Sequence, residues 1–377
     1  MFNSYIIFSL LVLCTYLLSS NFYKNNKENI TYLIIKYEDF KNDLNKFNNI
    51  SIIMLVDDQN LSNYEIAVKT AHCYSILHGY NFIILNILLY KDLLIKCTQK
   101  DFMFRRHCIL ANYLEDYKIN TNYVLFIDAD MGIVNPTFKL TDFTPSGNEE
   151  FLFEERIFNF EISAGSYFFR NTKYSRNILL NWANFENNIP SSFTGSDNVA
   201  LHPYLLKYIP QRYLNGTKIC EKIWNNSKSF IDTHIYVACI RHFMNNYCHE
   251  TNNENEDEYS LDNGRIKIIK KLSKRKWVRD VWLAESEWSM NDFMFHGLKK
   301  SSISASTFGS WEQILFVDNY NISNCNIKSF HENWIYNKKF MRNAEHIKQK
   351  IEKRINLLNM EHKKIIKNLS LGKYTDY

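Results

Sequence analysis

The sequence YVLFIDAD occupies residues 123–130 and sets the architecture expected for the whole chain. Its apolar residues run without interruption up to the first Asp, which predicts a strand buried on both faces, as in a parallel sheet. Two earlier stretches, 52–56 and 81–85, have the same character. Segments with helical periodicity lie between these strands, at 62–79 and 102–117. The alternation of strand and helix predicts a Rossmann-like parallel sheet.

The first of these helices carries both a start and a stop signal. Residues 62–65 match a capping box, and Gly79 is expected to end the helix in a left-handed conformation. Beyond residue 130 the pattern becomes mixed, with a strand predicted at 166–169 and a helix beginning near Asp197. These elements predict an α/β fold in which a mixed sheet is flanked by helices.

Two segments further along the chain differ from this core. Residues 251–263 are acidic and rich in Asn, which predicts a mobile loop. Residues 347–358 place Ile and Leu at spacings of three and four within a charged run, which predicts an amphipathic helix.

The N-terminal end is expected to lie outside the folded domain. Residues 1–20 contain an uncharged apolar run that reads as a signal anchor or a cleaved signal peptide, with the uncleaved anchor favoured. Residues 21–48 are polar and predict a stem. The folded catalytic domain is assigned to 49–318 and a C-terminal helical extension to 319–377.

Charge and cysteine content limit the possible partners and compartments. The net charge of +5 is small, and the basic residues are scattered, which argues against a nucleic-acid partner. Seven cysteines follow the one in the apolar run, so they cannot all pair. Cys73 and Cys108 are expected to be small core residues on helix faces. The better disulfide candidates lie in polar segments: Cys220, Cys239, Cys248 and Cys325.

The end of the third strand carries the principal candidate for chemistry. Asp128 and Asp130 stand two residues apart, so both point to the same side of an extended segment, at the edge of the sheet where ligands bind. Carboxylate oxygens favour Mg²⁺ or Mn²⁺, and such an ion neutralises diphosphate oxygens. The alternative is that the Asp residues only form the turn that ends the strand.

A second candidate site lies in the sequence FMFHGLK, residues 293–299. His296 is a possible ligand for Mn²⁺, Gly297 permits a close backbone approach to phosphate, and Lys299 supplies a positive charge. The alternative is a core His packed among Phe residues.

Two further segments have both a functional and a structural interpretation. Asp197 either caps its helix or contacts the acceptor or the transferring sugar in the cleft. Arg105 and Arg106 diverge by about 100° on a helix, so at most one of them faces the cleft, and a solvated face is the alternative. The small residues at 162–166 either admit a sugar or form a tight bend.

Several phrases together resemble a family of nematode secretory proteins, the domain of unknown function 273 family. The resemblance covers about residues 50–300 and rests on FRRHCILANYL, FIDADMGIVNP, EISAGSYFFRN, ICEKIWNNSKSF, YVACIRHFM and KWVRDVWLAESEWSMNDFMFHGLK. That family is grouped with nucleotide-diphospho-sugar transferases of the GT-A type and is similar in layout to galactosyl and mannosyl transferases of the yeast Golgi.

The resemblance implies a retaining, metal-dependent glycosyltransferase that moves a hexose from a nucleotide-diphosphate donor, a UDP-hexose with Mn²⁺ or Mg²⁺, to a glycan or glycoprotein. It also implies a Golgi membrane protein with a luminal catalytic domain, or a secreted one. Asp128, Asp130 and His296 are assigned to the metal, and Asp197 and Arg106 to catalysis. Asp57, Arg105, Gly297 and Lys299 are assigned to the donor. Gly297 and Lys299 come sooner than the related H-x-x-G-x-x-K pattern has them.

Two other functions are weighed against this one. Phosphatases of the haloacid-dehalogenase class also place D-x-D after a strand, but they require Thr or Val where this chain has Gly132. A catalytically silent GT-A domain that binds sugars or partners stays open as the non-enzymatic alternative.

Overall fold

The computed structural model describes residues 49–57, 61–117 and 119–371. The predicted signal segment and stem, residues 1–48, lie outside these described ranges. Within them, no helix is both long enough and apolar enough to cross a membrane. The prediction of an N-terminal anchor therefore concerns residues that the structure does not describe.

A seven-stranded mixed sheet forms the centre of the described part of the chain, in the order β2-β1-β3-β6-β5-β8-β7. A three-stranded sheet has the order β4-β10-β9, and β11 pairs with β12. The strands are β1 (Ile50–Val56), β2 (Asn81–Asn86), β3 (Tyr123–Ile127), β4 (Gly132–Ile133), β5 (Phe151–Glu154), β6 (Ser166–Arg170), β7 (Glu258–Leu261), β8 (Ile266–Ile269), β9 (Val278–Asp280), β10 (Met294–His296), β11 (Leu315–Phe316) and β12 (Ile335–Tyr336).

The first three strands confirm the prediction made from their apolar runs. β1 pairs in parallel with β2 on one side and with β3 on the other. Both its faces are buried, which explains why the sequence is apolar throughout rather than alternating. β6 then joins β3 in the antiparallel sense, so the sheet becomes mixed from that point.

Helices lie in the connections between these strands, and the last helix follows β12. They are α1 (Glu65–His78), α2 (Lys91–Lys96), α3 (Phe102–Asp116), α4 (Lys173–Asn184), α5 (Ser196–Leu205), α6 (Lys218–Asn225), α7 (Phe230–Glu250) and α8 (Ala344–Asn368). Gly79 ends α1 with φ of 69°, which confirms the predicted left-handed cap. The predicted capping box is wrong, because Ser62–Tyr64 form a 3-10 turn and the Glu65 carboxylate pairs with Lys69 and Lys300 instead.

The acidic segment 251–263 is more ordered than its composition predicts. Residues Glu258–Leu261 form β7 and pair with β8 in the antiparallel sense. Tyr259 and Leu261 are buried on the inner side of this strand. The prediction of a mobile loop across the whole segment is wrong, because alternating apolar side chains hold its second half against the sheet.

The C-terminal segment packs on the same body. Helix α8 confirms the predicted amphipathic helix, and its buried face includes Ile347, Ile355 and Leu358. A disulfide joins Cys325 to Cys73 of α1 across 252 residues of sequence. The boundary between 318 and 319 stays a prediction.

Two further disulfides revise the cysteine assignments. Cys220 pairs with Cys239, and Cys97 pairs with Cys108. The expectation that Cys73 and Cys108 are unpaired core residues is wrong, although both are buried helix residues. Cys248 is a free, buried cysteine rather than a disulfide partner.

Candidate active site and metal centre

The end of β3 carries the two carboxylates at the edge where the parallel strands finish. Asp130 is buried and Asp128 is partly exposed, with side-chain exposures of 7% and 23%. One ligand atom from each, together with one ring nitrogen of His296, can be chosen so that all three lie within 4.8 Å of one another. The structure thus gathers the three predicted metal ligands into one cluster.

His296 reaches this cluster from the small second sheet. It ends β10, and Asp280 is its partner in register on the parallel strand β9. The His296 Nδ1 and an Asp280 carboxylate oxygen lie 2.7 Å apart, while Nε2 lies 3.6 Å from Asp130 Oδ1. Burial alone would lower the pKa of His296, but the charges of Asp130 and Asp280 outweigh it and raise that pKa.

Asp128 is held between a guanidinium group and a glycine. Arg106 donates a hydrogen bond to its carboxylate. The backbone of Gly165 approaches so closely that a Cβ there would lie 2.4 Å from Asp128 Oδ2. Burial raises the pKa of Asp128 to about 6, with Arg106 opposing the shift and Asp130 adding to it. Gly165 therefore makes the space that the Asp128 carboxylate occupies.

Behind Asp128, Arg106 continues into a buried polar network. Its second amino group donates to Asp197 at 2.7 Å, and His107 contacts the same carboxylate oxygen at 2.9 Å. His107 also stacks on Trp182 and contacts the Tyr167 hydroxyl. Burial opposes ionisation of Asp197, but Arg106 and then the His107 hydrogen bond keep its pKa below the usual value.

This geometry bears on the two interpretations of Asp197. Its side chain is only 2% exposed and pairs with Arg106, and the residue preceding α5 is Gly195, with no side-chain cap. The helix-cap interpretation is therefore not observed. The catalytic role assigned to Asp197 stays a prediction, and its burial favours an indirect action through Arg106 on Asp128.

The segment after His296 lies at the mouth of the cluster. Lys299 Nζ lies 3.3 Å from Asp130 Oδ2 and its side chain is 42% exposed. Leu298 donates its backbone N–H to the carbonyl of Asp130 at 2.9 Å, which ties the ends of β10 and β3 together. Gly297 has φ of 92°, a conformation that favours glycine. Lys299 is thus a partly exposed cation paired with one of the metal ligands.

Two residues assigned to the donor are not among the three clustered metal ligands. Arg105 donates to the backbone carbonyl of Gln99 at 2.6 Å, so on α3 it is Arg106 that faces the carboxylates. Asp57 is exposed at the end of β1, beside the undescribed residues 58–60. Their donor-binding roles stay predictions, and the expectation that at most one of the two Arg residues faces the cleft agrees with the structure.

A small open pocket adjoins His296, and its charged lining was missed in the sequence. It is bordered by Glu154, Arg156, Lys276 and Asp280. Arg156 donates to Asp280 at 2.9 Å, and Lys276 donates to Glu154. Burial raises the pKa of Glu154 to about 7 against the opposing charge of Lys276. The available signal was the stretch KWVRDVW, in which Lys276, Arg279 and Asp280 alternate with large apolar residues.

The donor atoms of the cluster fit a divalent cation. Two carboxylates and one imidazole are ligands that suit Mn²⁺, and carboxylates also suit Mg²⁺. Because Gly165 has no Cβ, the Asp128 carboxylate can occupy its position in the cluster. Asp128, Asp130 and His296 are therefore the residues that would hold the ion.

Comparison with known proteins identifies the family. A family model described as "Protein of unknown function, DUF273" matches residues 71–311. The chain belongs to the DUF273 family. The DUF273 match contains all three candidate metal ligands together with Arg106, Asp197 and Asp280. No curated protein matches this DUF273 chain at a significant level.

One solved structure similar to this DUF273 protein is described as a glycosyltransferase involved in the glycosylation of the major capsid of PBCV-1. The two share 19% sequence identity with a TM-score of 0.30. The match covers 37% of this chain and 68% of the other.

Proposed function

We propose that this DUF273 protein is a metal-dependent glycosyltransferase of the GT-A type. The observation that carries the proposal is the meeting of Asp128, Asp130 and His296 at the carboxyl edge of parallel strands. In α/β sheets that edge is where nucleotide ligands bind. The donor is a nucleotide-diphosphate hexose, with UDP as the nucleotide and Mn²⁺ or Mg²⁺ as the ion.

The charges around the cluster support binding of a diphosphate. Lys299 extends its ammonium group at the exposed mouth of the site. A divalent ion, when bound, supplies Lewis-acid stabilisation of the diphosphate oxygens. Lys299 adds a second positive charge on the side where the leaving group develops its own charge. Buried Arg106 neutralises Asp128 and Asp197 from behind, so it fixes the ligand position rather than contacting the donor.

The three disulfides support a secretory location for this chemistry. They persist in oxidising compartments, and the described residues contain Cys73–Cys325, Cys97–Cys108 and Cys220–Cys239. We place the enzyme at the Golgi membrane with its domain in the lumen, or in the secreted fraction. Its acceptor is a glycan or a glycoprotein, and transfer retains the configuration of the sugar.

The non-enzymatic alternative predicts a damaged site, whereas every candidate ligand is present. A catalytically silent domain has no need to keep Asp130 buried beside both His296 and Lys299. The phosphatase alternative is also less compatible, because the D-x-D pair follows the third strand along the chain and Gly132 stands where those enzymes need Thr or Val.

A donor-hydrolysis assay tests the proposal. The purified chain is incubated with Mn²⁺ and, separately, UDP-glucose, UDP-galactose, UDP-N-acetylglucosamine and GDP-mannose, and released nucleotide is measured by chromatography. We expect Mn²⁺-dependent release from one donor, its abolition in Asp130→Asn, and its retention in the exposed control Asp92→Asn. Absence of both turnover and metal-dependent nucleotide binding across the panel would contradict the enzyme hypothesis.

A further inference from the structure

Three aromatic side chains from separate segments form a cluster at the surface. Trp282 comes from the turn after β9, Phe158 from the loop after β5, and Phe308 from the loop that precedes Trp311. Ring centroids lie 4.9 Å apart for Phe158 and Trp282, 4.8 Å for Trp282 and Phe308, and 6.0 Å for Phe158 and Phe308. We call these three residues the aromatic platform.

One ring of the platform is largely exposed to solvent, and the other two are partly exposed. Phe308 is 79% exposed, and Phe158 and Trp282 are half-buried. A single exposed apolar residue is common, but contiguous exposed apolar groups mark sites of interaction. Phe308 packs against the Trp282 ring and still remains largely exposed to water.

The platform is continuous with the candidate metal centre. The Arg156 guanidinium lies 4.7 Å from the centre of the Phe158 ring and donates to Asp280, the partner of His296. On the other side, a Cβ added to Gly297 would lie 3.9 Å from Trp282 Cδ1. Gly297 directly follows His296, so the aromatic surface begins one residue from the metal ligand.

The chemistry of this surface suits a sugar ring. A pyranose has a face of C–H groups that stacks on aromatic rings, while its hydroxyl groups need polar partners at the edge. Binding sites of this kind combine aromatic walls with a few placed polar groups. Arg156, whose side chain is partly exposed, supplies such a group beside Phe158.

We infer that the aromatic platform is the acceptor subsite, and that it holds a hexose of the acceptor glycan beside the metal-bound donor. The assignment of the bound sugar as the acceptor rests on the proposed function. The binding of a sugar ring rests on the aromatic platform itself. Phe308 gives the exposed stacking surface, and Trp282 and Phe158 support it from behind.

Binding is tested without a donor, by saturation-transfer difference NMR on the full chain. The probes are methyl α-mannoside, methyl β-galactoside and methyl β-glucoside, with Phe308→Ala as the variant. The matched control is Phe230→Ala, which removes another exposed Phe at the start of α7, itself 76% exposed. We expect saturation of the C–H protons of one probe, with affinity about tenfold weaker in Phe308→Ala and unchanged in Phe230→Ala.

The binding result and the enzyme result are separable. No sugar binding by the wild type, or equal loss in the two variants, overturns the platform as a sugar site whatever the hydrolysis assay gives. Binding of a Leu-rich peptide that Phe308→Ala abolishes, with no sugar binding, also overturns it in favour of a peptide surface.

Where donor hydrolysis is found, the glycan of the best probe is supplied as acceptor. The ratio of transfer to hydrolysis should then fall about tenfold in Phe308→Ala, because only the transfer reaction uses the acceptor. An unchanged ratio would overturn the acceptor assignment. Absence of donor hydrolysis in the wild type and in the variants would contradict the proposed function alone. The NMR titration would still decide whether the platform binds a sugar.

Discussion

Asp280 accepts a hydrogen bond from His296 Nδ1 at 2.7 Å, across the parallel pair β9 and β10. With its proton on Nδ1, the imidazole keeps the lone pair of Nε2, which faces Asp130 at 3.6 Å. Carboxylates that orient a ligand His in this way fix its tautomer and raise its basicity. The strand register thus orients Nε2 of His296 toward Asp130, where the ion would be held.

Substituting Asp280→Asn should weaken Mn²⁺ binding by about 10- to 100-fold, the usual effect of removing such an orienting partner. The amide keeps the size of the side chain but loses the charge that stabilises His296 and Arg156. Isothermal titration calorimetry with Mn²⁺ measures the change in affinity. Asp92→Asn, an exposed Asp outside the cluster, is the control, and wild-type affinity in Asp280→Asn would show that Asp280 has no role at the metal.

Substituting Gly165→Ala should also weaken Mn²⁺ binding by at least about tenfold, through the other side of the centre. The added Cβ would lie 2.4 Å from Asp128 Oδ2 and 3.0 Å from Met131 Cε, so the carboxylate must move. Gly147→Ala is the control: its φ of 51° strains an Ala backbone locally, but nothing lies within 4 Å of a Cβ there. Equal metal affinity in both variants, measured by titration, would indicate that Asp128 tolerates displacement.

The parts of the fold that could be predicted from the sequence depend on local patterns. The buried runs at β1 and β3 are apolar throughout because both faces of a parallel sheet are covered. The end of β3 then fixes where Asp128 and Asp130 must lie. The capping box failed because Ser62–Tyr64 form a 3-10 turn and the Glu65 carboxylate pairs with Lys69 and with Lys300, which is distant in sequence.

The parts that could not be predicted depend on distant contacts. Asp280 meets Arg156 across a separation of 124 residues, and nothing in either local pattern signals the pair. The local pattern predicts that Cys73 is a core residue on a helix face. The structure pairs it with Cys325, which is 252 residues away in sequence. Burial and pairing are compatible for cysteine, so helix periodicity alone does not separate the two outcomes.

Two neighbouring arginines on α3 should differ sharply in their contribution to stability. Arg106→Gln leaves the buried carboxylates of Asp128 and Asp197 without their shared cation, which should lower the free energy of unfolding by about 3–5 kcal/mol. Arg105→Gln removes one hydrogen bond to Gln99 and should cost about 1 kcal/mol. Urea unfolding followed by circular dichroism measures both. Equal losses would mean that the network behind Asp128 contributes little.

Cys248 should resist alkylation in the folded protein. Its side chain is buried, and burial raises the pKa of its thiol to about 12, so almost no thiolate is present at pH 8. Iodoacetamide should label it only after unfolding in guanidinium without reductant. Mass spectrometry of the peptide that contains Cys248 measures the label. Rapid modification of the native protein would contradict the buried position in α7.

Stability should fall as the pH decreases below about 6.5, the pKa of an unfolded His. His202 is fully buried, and its Nε2 accepts a hydrogen bond from the backbone N–H of Ile162 at 3.0 Å while Nδ1 contacts the carbonyl of Val199. Burial, assisted by the charge of Arg241, lowers the pKa of His202 to about 3. A proton on Nε2 would face the N–H of Ile162, so the folded ring has no room for it.

The sign follows from proton linkage. Between about pH 3 and 6.5 the unfolded state binds a proton at this position and the folded state does not, so stability rises with pH through that window. His202 alone should contribute a slope of about 1.4 kcal/mol per pH unit at the acidic side of the window. His202→Gln should reduce the measured slope by about that amount, and the exposed control His331→Gln should leave it unchanged. Urea unfolding at pH 7.0, 6.0, 5.0 and 4.5 tests this, and an equally steep slope in His202→Gln would contradict the lowered pKa of His202 in the folded protein.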